Sequence, residues 1–210
     1  MTKLLLLARH ASTEATRRGA YAGRLDIALG AGAKAEIDRL AATVGPYSPT
    51  GIVCSPRARA RQTAEGVAAA LGLPSQNIKI REELREVDFG RWEGLTFPEI
   101  AAAEPEKVRE WAEWSEDFRF PEGERLGDFL DRIGRVTGEL AAGELAAGEE
   151  ERLLVVSHGG VIRAMLCRLL GLSPRHYLLF DVQPAGLAVV RLFGELGVLT
   201  ALYPAAREEK

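Results

Sequence analysis

The sequence predicts an α/β fold: a three-layer α/β/α arrangement with a mostly parallel central sheet, an antiparallel edge and a short helical lid insertion. Three observations carry this expectation. Short apolar runs, such as Lys3-Leu-Leu-Leu-Leu-Ala8 and Arg152-Leu-Leu-Val-Val156, lack the alternation of a half-exposed strand and suit strands buried on both faces. Segments with helical spacing follow these runs, and that alternation implies parallel strands covered on both sides. Two candidate strands end in a histidine, His10 and His158, where such sheets place their ligands.

The elements follow in chain order. Length alone leaves Lys3 to Ala8 open to helix, but Arg9, His10 and the Ser12/Thr13 pair read as a strand end turning into a helix N-terminus, whose free N–H groups favour an anion. Tyr21 to Gly32, glycine-rich with Gly19 at its margin, is a loop. Ile37, Leu40, Ala41 and Val44 resume helical spacing, and Gly51 to Cys54, bounded by Pro49 and Pro56, is a second core strand. A helix runs from about Ala58 to Leu71, Ile78 to Ile80 is a weak third strand, and Leu84 to Gly94 has turn chemistry. Pro98 and Pro105 each suit the first turn of a short helix. Trp111 to Pro121 is aromatic and interrupts the alternation, as an insertion covering one end of the sheet would, within a lid spanning about 95–122. Glu124 to Leu140 is a helix running into a five-residue repeat from Gly138 to Gly148, read as a surface helix end. Ser157-His158-Gly159-Gly160 converts the Arg152 to Val156 strand into a helix from Val161 to Leu170. Leu187 to Phe193 and Val198 to Tyr203, joined by Gly194-Glu-Leu-Gly197, form a terminal hairpin. Residues 1–206 are thus expected to form one domain, with Arg207 to Lys210 a charged tail.

Composition bounds the function. With 47% hydrophobic and 27% charged residues the chain is of ordinary globular type, and 27 Lys+Arg against 30 Asp+Glu give a net charge of -3. No broad positive field exists to attract nucleic acid or an anionic membrane, so any anion site must be local. Cys54 and Cys167 lie in apolar surroundings without CxxC spacing, which suits reduced, buried thiols and a cytoplasmic location. Arg9 and His10 end the apolar run near the N-terminus before it reaches signal-peptide length, and no stretch is long enough to span a bilayer.

A phosphoryl group in transfer spreads charge over three oxygens, so its site needs fixed donors and an in-line nucleophile. Arginine, whose planar fork donates twice to one phosphate, is suited to this. Arg9 adjoins His10, and Arg57, Arg59 and Arg61 cluster just after the strand ending at Cys54.

Leu7-Ala8-Arg9-His10-Ala11-Ser12-Thr13-Glu14 resembles the Arg-His-Gly-x-Thr signature of the histidine phosphatase superfamily, in its phosphoglycerate-mutase-like branch. Ser55-Pro56-Arg57-Ala58-Arg59-Ala60-Arg61-Gln62-Thr63-Ala64 is similar to its Ser-Pro-Leu-x-Arg-Ala-x-x-Thr-Ala. Leu84-Arg85-Glu86 with Phe89-Gly90-Arg91-Trp92-Glu93-Gly94 resembles its acid-bearing turn, Pro121-Glu122-Gly123-Glu124 its Pro-Gly-Gly-Glu stretch, and Ser157-His158-Gly159-Gly160-Val161-Ile162-Arg163 its second histidine motif. Five matches in the family's order, from residue 4 to about 170, make the signal specific where no single motif would.

The resemblance implies a metal-independent phosphatase, with no cofactor, that cleaves small phosphorylated metabolites through a phosphohistidine at His10. Arg9, Arg59 and a protonated His158 would bind the phosphoryl oxygens, and Glu86 would act as general acid and then base, carrying a proton at the first step. Thr13, Thr16, Gly23 and Gly159 are implied as substrate contacts. Ala11 replaces the usual glycine, which negative φ would tolerate, and Thr16 stands where asparagine is frequent. Arg57 and Arg125 replace leucine and serine, so the pocket rim is expected to be more cationic than usual and to favour a second anionic group. Arg57 and Arg61 lie on other helix faces than Arg59 and read as solvated or ion-paired. Glu14, Glu82, Glu83 and Glu93 read as surface or capping carboxylates, His176 as non-catalytic, and Trp92, Trp111 and Trp114 as packing. Val87 after the acid, and a short acidic insertion, favour hydrolysis over mutase chemistry; α-ribazole 5′-phosphate is the substrate suggested by the Phe-Gly-x-Trp-Glu-Gly turn. A phosphoglycerate mutase, a non-catalytic phosphate-binding module and a metal-dependent hydrolase are the alternatives. Oligomeric state is left open, a homodimer included.

Overall fold

A computed structural model of the chain describes residues 3–143 and 151–204. Six strands form one sheet: β1 (Lys3–Arg9), β2 (Gly51–Cys54), β3 (Ile78–Ile80), β4 (Arg152–Ser157), β5 (Leu187–Phe193) and β6 (Leu196–Tyr203), in the order β3-β2-β4-β1-β5-β6. The first four in that order run parallel, and β5 and β6 add antiparallel strands at one edge. Because successive side chains point to opposite faces, an unbroken apolar run supplies both faces at once. Leu5, Leu7, Val53, Leu153 and Val155 enter one core, and Leu6, Ala8, Ile52, Cys54, Leu154 and Val156 the other.

Helices α2 (Ala33–Val44) and α3 (Ala58–Ala70) cover the second of these faces, and α6 (Leu126–Ala142) and α7 (Gly159–Leu169) the first. The expected three-layer α/β/α fold is therefore what forms. Ile37, Leu40, Ala41 and Val44 supply the buried stripe of α2 at helical spacing. Short helices α1 (Glu14–Arg18), α4 (Phe97–Ala103) and α5 (Pro105–Ala112) complete the molecule, α4 opened by a capping box between Thr96 and Glu99. Trp92, Trp111, Phe118 and Phe120 pack edge to face beneath these two helices, with Trp92 to Phe120 centroids 5.5 Å apart, as packing residues should.

Three element starts differ by two residues from the sequence reading. Helix α6 starts at Leu126 instead of Glu124, because the Glu124 backbone is committed to Asp88 and Phe120. Helix α7 starts two residues early, at Gly159, and β6 two residues early, at Leu196, because the hairpin turns on Gly194 (φ 66°) and Glu195 alone. The repeat beyond Gly143 and the tail after Pro204 lie outside the described residues. Cys54 and Cys167 are free and buried, and burial pushes the Cys54 thiol up to about 11. Among the described residues no helix is long and apolar enough to cross a membrane.

Candidate active site

Parallel pairing of β1 with β4 sets Arg9 opposite Ser157, so the residues that follow, His10 and His158, leave the sheet side by side. Their ring centroids are 5.2 Å apart, and the His10 N–H donates to Ser157 O at 2.9 Å. A cavity of about 250 Å³ opens at this end of the sheet. Arg9, His10, Arg59, Glu86, Thr16, Gly23 and Gly159 line it. His158 is fully buried against His10 and does not itself line it; Thr13 does not line it either, being buried as the N-cap of α1.

The His10 Nδ1 lies 2.7 Å from Ala11 O. A carbonyl only accepts, so the Nδ1 carries the proton and the Nε2 keeps its lone pair. Burial, then the charges of Arg9 and Arg59, hold this imidazole well below the usual 6.5, so it is neutral near pH 7. Burial, then Arg59, His10, Arg9 and Arg57, depress His158 in the same way. Without a bound anion, burial and these charges thus disfavour the protonated form of His158 that the resemblance implies for the occupied site.

The arginines are held by carbonyls. Arg9 donates through Nη1 to Val182 O at 2.7 Å, and burial pushes its guanidinium down to about 10. Arg59, 1% exposed, donates to Leu25 O at 2.7 Å and Gly23 O at 2.9 Å. Among the described residues neither forms an ion pair, and the Nε atoms of Arg9 and Arg59 and the Nδ1 of His158 are buried without a partner. Buried donors without acceptors are costly, and Arg9 and Arg59 both line the cavity, where an anion with several oxygens would supply the acceptors they lack.

Glu86 sits on the turn after β3, and a neighbouring buried pair fixes that turn. Arg132 of α6 donates to the carbonyls of Glu83 (2.6 Å) and Arg85 (2.9 Å), and clasps Glu124 through Nε and Nη2. The Glu86 carboxylate then accepts the backbone N–H groups of Val87 and Gly160, both at 3.1 Å. A Cβ at Gly160 would push aside Glu86 Oε1 and the Tyr177 hydroxyl, so glycine there leaves the carboxylate its place against the backbone.

Some expectations meet a different geometry. The N–H groups after His10 are not free for an anion: Ala11 donates to Thr63, Ser12 to Glu36 and Thr13 to Thr16. The Thr16 hydroxyl is itself spent on Thr13 O at 2.9 Å. Ala11 has negative φ, as its tolerance requires. Arg125 pairs with Asp117 and Asp128 away from the cavity, and Arg57 does not line it; the further cation at the wall is Arg163. Glu93 is no simple surface carboxylate, since it accepts from the N–H groups of Arg24 (2.7 Å) and Leu25 (3.1 Å) and pins the loop that carries Gly23. His176 is exposed. Arg163, Tyr177 and Ser55 had no assigned role in the sequence. Arg163 was findable, one helical turn beyond Gly159 and Gly160, whereas Tyr177 lies in a short 3-10 helix, Pro174–Leu179, whose residues carry no apolar period. Among the described residues no three His, Cys, Asp or Glu side chains are placed to share a metal ion.

Comparison with known proteins gives matches along nearly the whole chain. The family model described as histidine phosphatase superfamily (branch 1) matches residues 5–203. A bifunctional protein of Mycobacterium tuberculosis is 36% identical over 169 residues, which are 79% of this chain and 43% of that protein, so the chain spans less than half of its length. Phosphoserine phosphatase 1 of Hydrogenobacter thermophilus is 30% identical over 96% of this chain and 92% of its own. The crystal structure of α-ribazole phosphatase from Shigella flexneri superposes with a TM-score of 0.81 at 25% identity, covering 99% of each chain.

Proposed function

Since the chain belongs to the histidine phosphatase superfamily (branch 1), we propose that it hydrolyses phosphate monoesters of small metabolites, without a metal, through a phosphohistidine at His10. The observation that carries this reading is the His10 tautomer: a neutral imidazole presents an Nε2 lone pair in a cavity whose buried donors lack acceptors.

The chemistry divides into two displacements. In the first, Nε2 of His10 attacks phosphorus, the ester P–O bond breaks, and Glu86 in its acid form gives its proton to the departing alkoxide. In the second, water attacks the phosphohistidine, the Glu86 carboxylate takes the water's proton, and the N–P bond breaks to release inorganic phosphate. Arg9 and Arg59, held by carbonyls, meet the charge on the phosphoryl oxygens without having to reorganise. Phosphoserine and α-ribazole phosphate, substrates named for the two similar phosphatases, both fit this chemistry.

Turnover of p-nitrophenyl phosphate in excess EDTA, with acid-labile phosphate trapped on His10 by rapid quenching, is the expected result. His10→Ala should lower kcat by about 10³-fold or more. Undiminished turnover by that variant removes the reading. A panel of O-phosphoserine, α-ribazole 5′-phosphate and 3-phosphoglycerate with its bisphosphate primer selects the substrate and exposes any mutase activity.

A further inference from the structure

We propose that Ser55 fixes the tautomer of His158, so that His158 serves the phosphoryl group as a neutral N–H donor. This rests on the phosphatase reading of the site but concerns a residue to which that reading gives no part.

Ser55 follows β2 directly and is completely buried, with its Oγ 2.7 Å from His158 Nε2. Distance alone permits either direction of donation, and the remaining contacts decide it. The Arg57 backbone N–H approaches Ser55 Oγ at 3.4 Å and can only donate, so it occupies a lone pair of that oxygen. No other acceptor lies within reach of the hydroxyl among the described residues, and a buried O–H is seldom left unpaired. The Ser55 O–H therefore donates to Nε2, and the one proton of a neutral imidazole resides on Nδ1. That Nδ1 is the buried nitrogen of His158 for which the protein provides no partner.

The two histidines are then held in opposite tautomers by different backing groups. Ala11 O draws the proton of His10 to Nδ1 and leaves a lone pair, while the Ser55 hydroxyl fills the Nε2 of His158 and leaves an N–H. Four charged or titratable groups act on His158, all disfavouring a second proton: Arg57 and Arg59 from the start of α3, and Arg9 and His10 from the end of β1. A neutral donor is the form this environment supports. Ser55 is in this sense a positioning residue.

The test is the protonation pattern of His158 by ¹⁵N NMR, in wild type with and without orthovanadate, beside Ser55→Ala and Ser55→Thr. Wild type should show a neutral ring with its proton on Nδ1. Ser55→Ala should lose that fixed pattern and lower kcat/KM for p-nitrophenyl phosphate by about 10- to 100-fold at pH 7.5, with partial recovery towards pH 5.5 as imidazolium supplies the missing N–H. Ser55→Thr, which keeps the hydroxyl, should restore both. A wild-type proton on Nε2, or an imidazolium at pH 7.5, overturns the inference whether or not the protein turns over ester. A normal pH profile in folded Ser55→Ala overturns it while leaving the phosphatase reading intact.

Discussion

At the scale of single residues, the proposed attack by His10 depends on keeping its imidazole unprotonated. A depressed pKa disfavours the imidazolium, so the fraction of His10 able to attack stays near one to a pH below 6.5. The acid limb of kcat/KM should accordingly lie well under pH 6.5, and a pH–rate profile with half-maximal activity at 6.5 would contradict the part given to burial and to Arg9 and Arg59. Replacing Glu86 by Gln should lower kcat far more for alkyl phosphates than for p-nitrophenyl phosphate, whose leaving group needs no proton, and equal losses would remove the acid role. Most of these residues were legible because they fall in short motifs at strand ends: Arg9 and His10, Arg59, Glu86 and His158 all come to one place. What could not be read was direction. Nothing in the sequence says that the Thr16 hydroxyl turns back on Thr13, or that Arg59 is anchored by the carbonyls of Gly23 and Leu25, because such bonds join loops far apart in the chain.

Among the elements, the turn that holds Glu86 is kept in place by α6. Arg132 and Glu124 are both nearly buried, at side-chain exposures of 6% and 10%, and the guanidinium also ties down two carbonyls just ahead of Glu86, those of Glu83 and Arg85. Arg132→Leu takes from the buried Glu124 carboxylate its bidentate partner and leaves it only Arg85 at 3.6 Å and the Asp88 N–H, a change that costs up to about 3–5 kcal/mol in such pairs. Urea unfolding should register that loss, and kcat should fall because Glu86 is no longer fixed; a stable, fully active variant would show that α6 does not govern the turn. The helices and strands themselves were visible in apolar periodicity, to within two residues at most ends. The start of α6 is displaced by two residues because its first turn is set by pairing of Glu124 with Asp88 and Phe120 instead of by local propensity.

For the whole molecule, the net charge of -3 conceals a cationic cavity in an acidic body, which the arginine cluster after β2 had suggested and global composition could not. Burying two neutral histidines also makes stability depend on pH. Both have folded pKa values below 6.5, so the unfolded chain binds more protons at acid pH; their contribution is complete above 6.5 and declines as pH falls towards the folded values. The decline approaches about 1.4 kcal/mol per histidine for each pH unit. Urea midpoints measured between pH 7.5 and 5.5 should fall less steeply for His10→Ala than for wild type. The adjacency of β1 and β4 has a further consequence for how the protein is made. These strands, Lys3–Arg9 and Arg152–Ser157, lie far apart in the chain, and parallel pairing of such distant segments is slow to form. A chain that stops short of β4 has no His158 and leaves that side of β1 unpaired, so the proposed ester cleavage would have to wait until most of the polypeptide has been made.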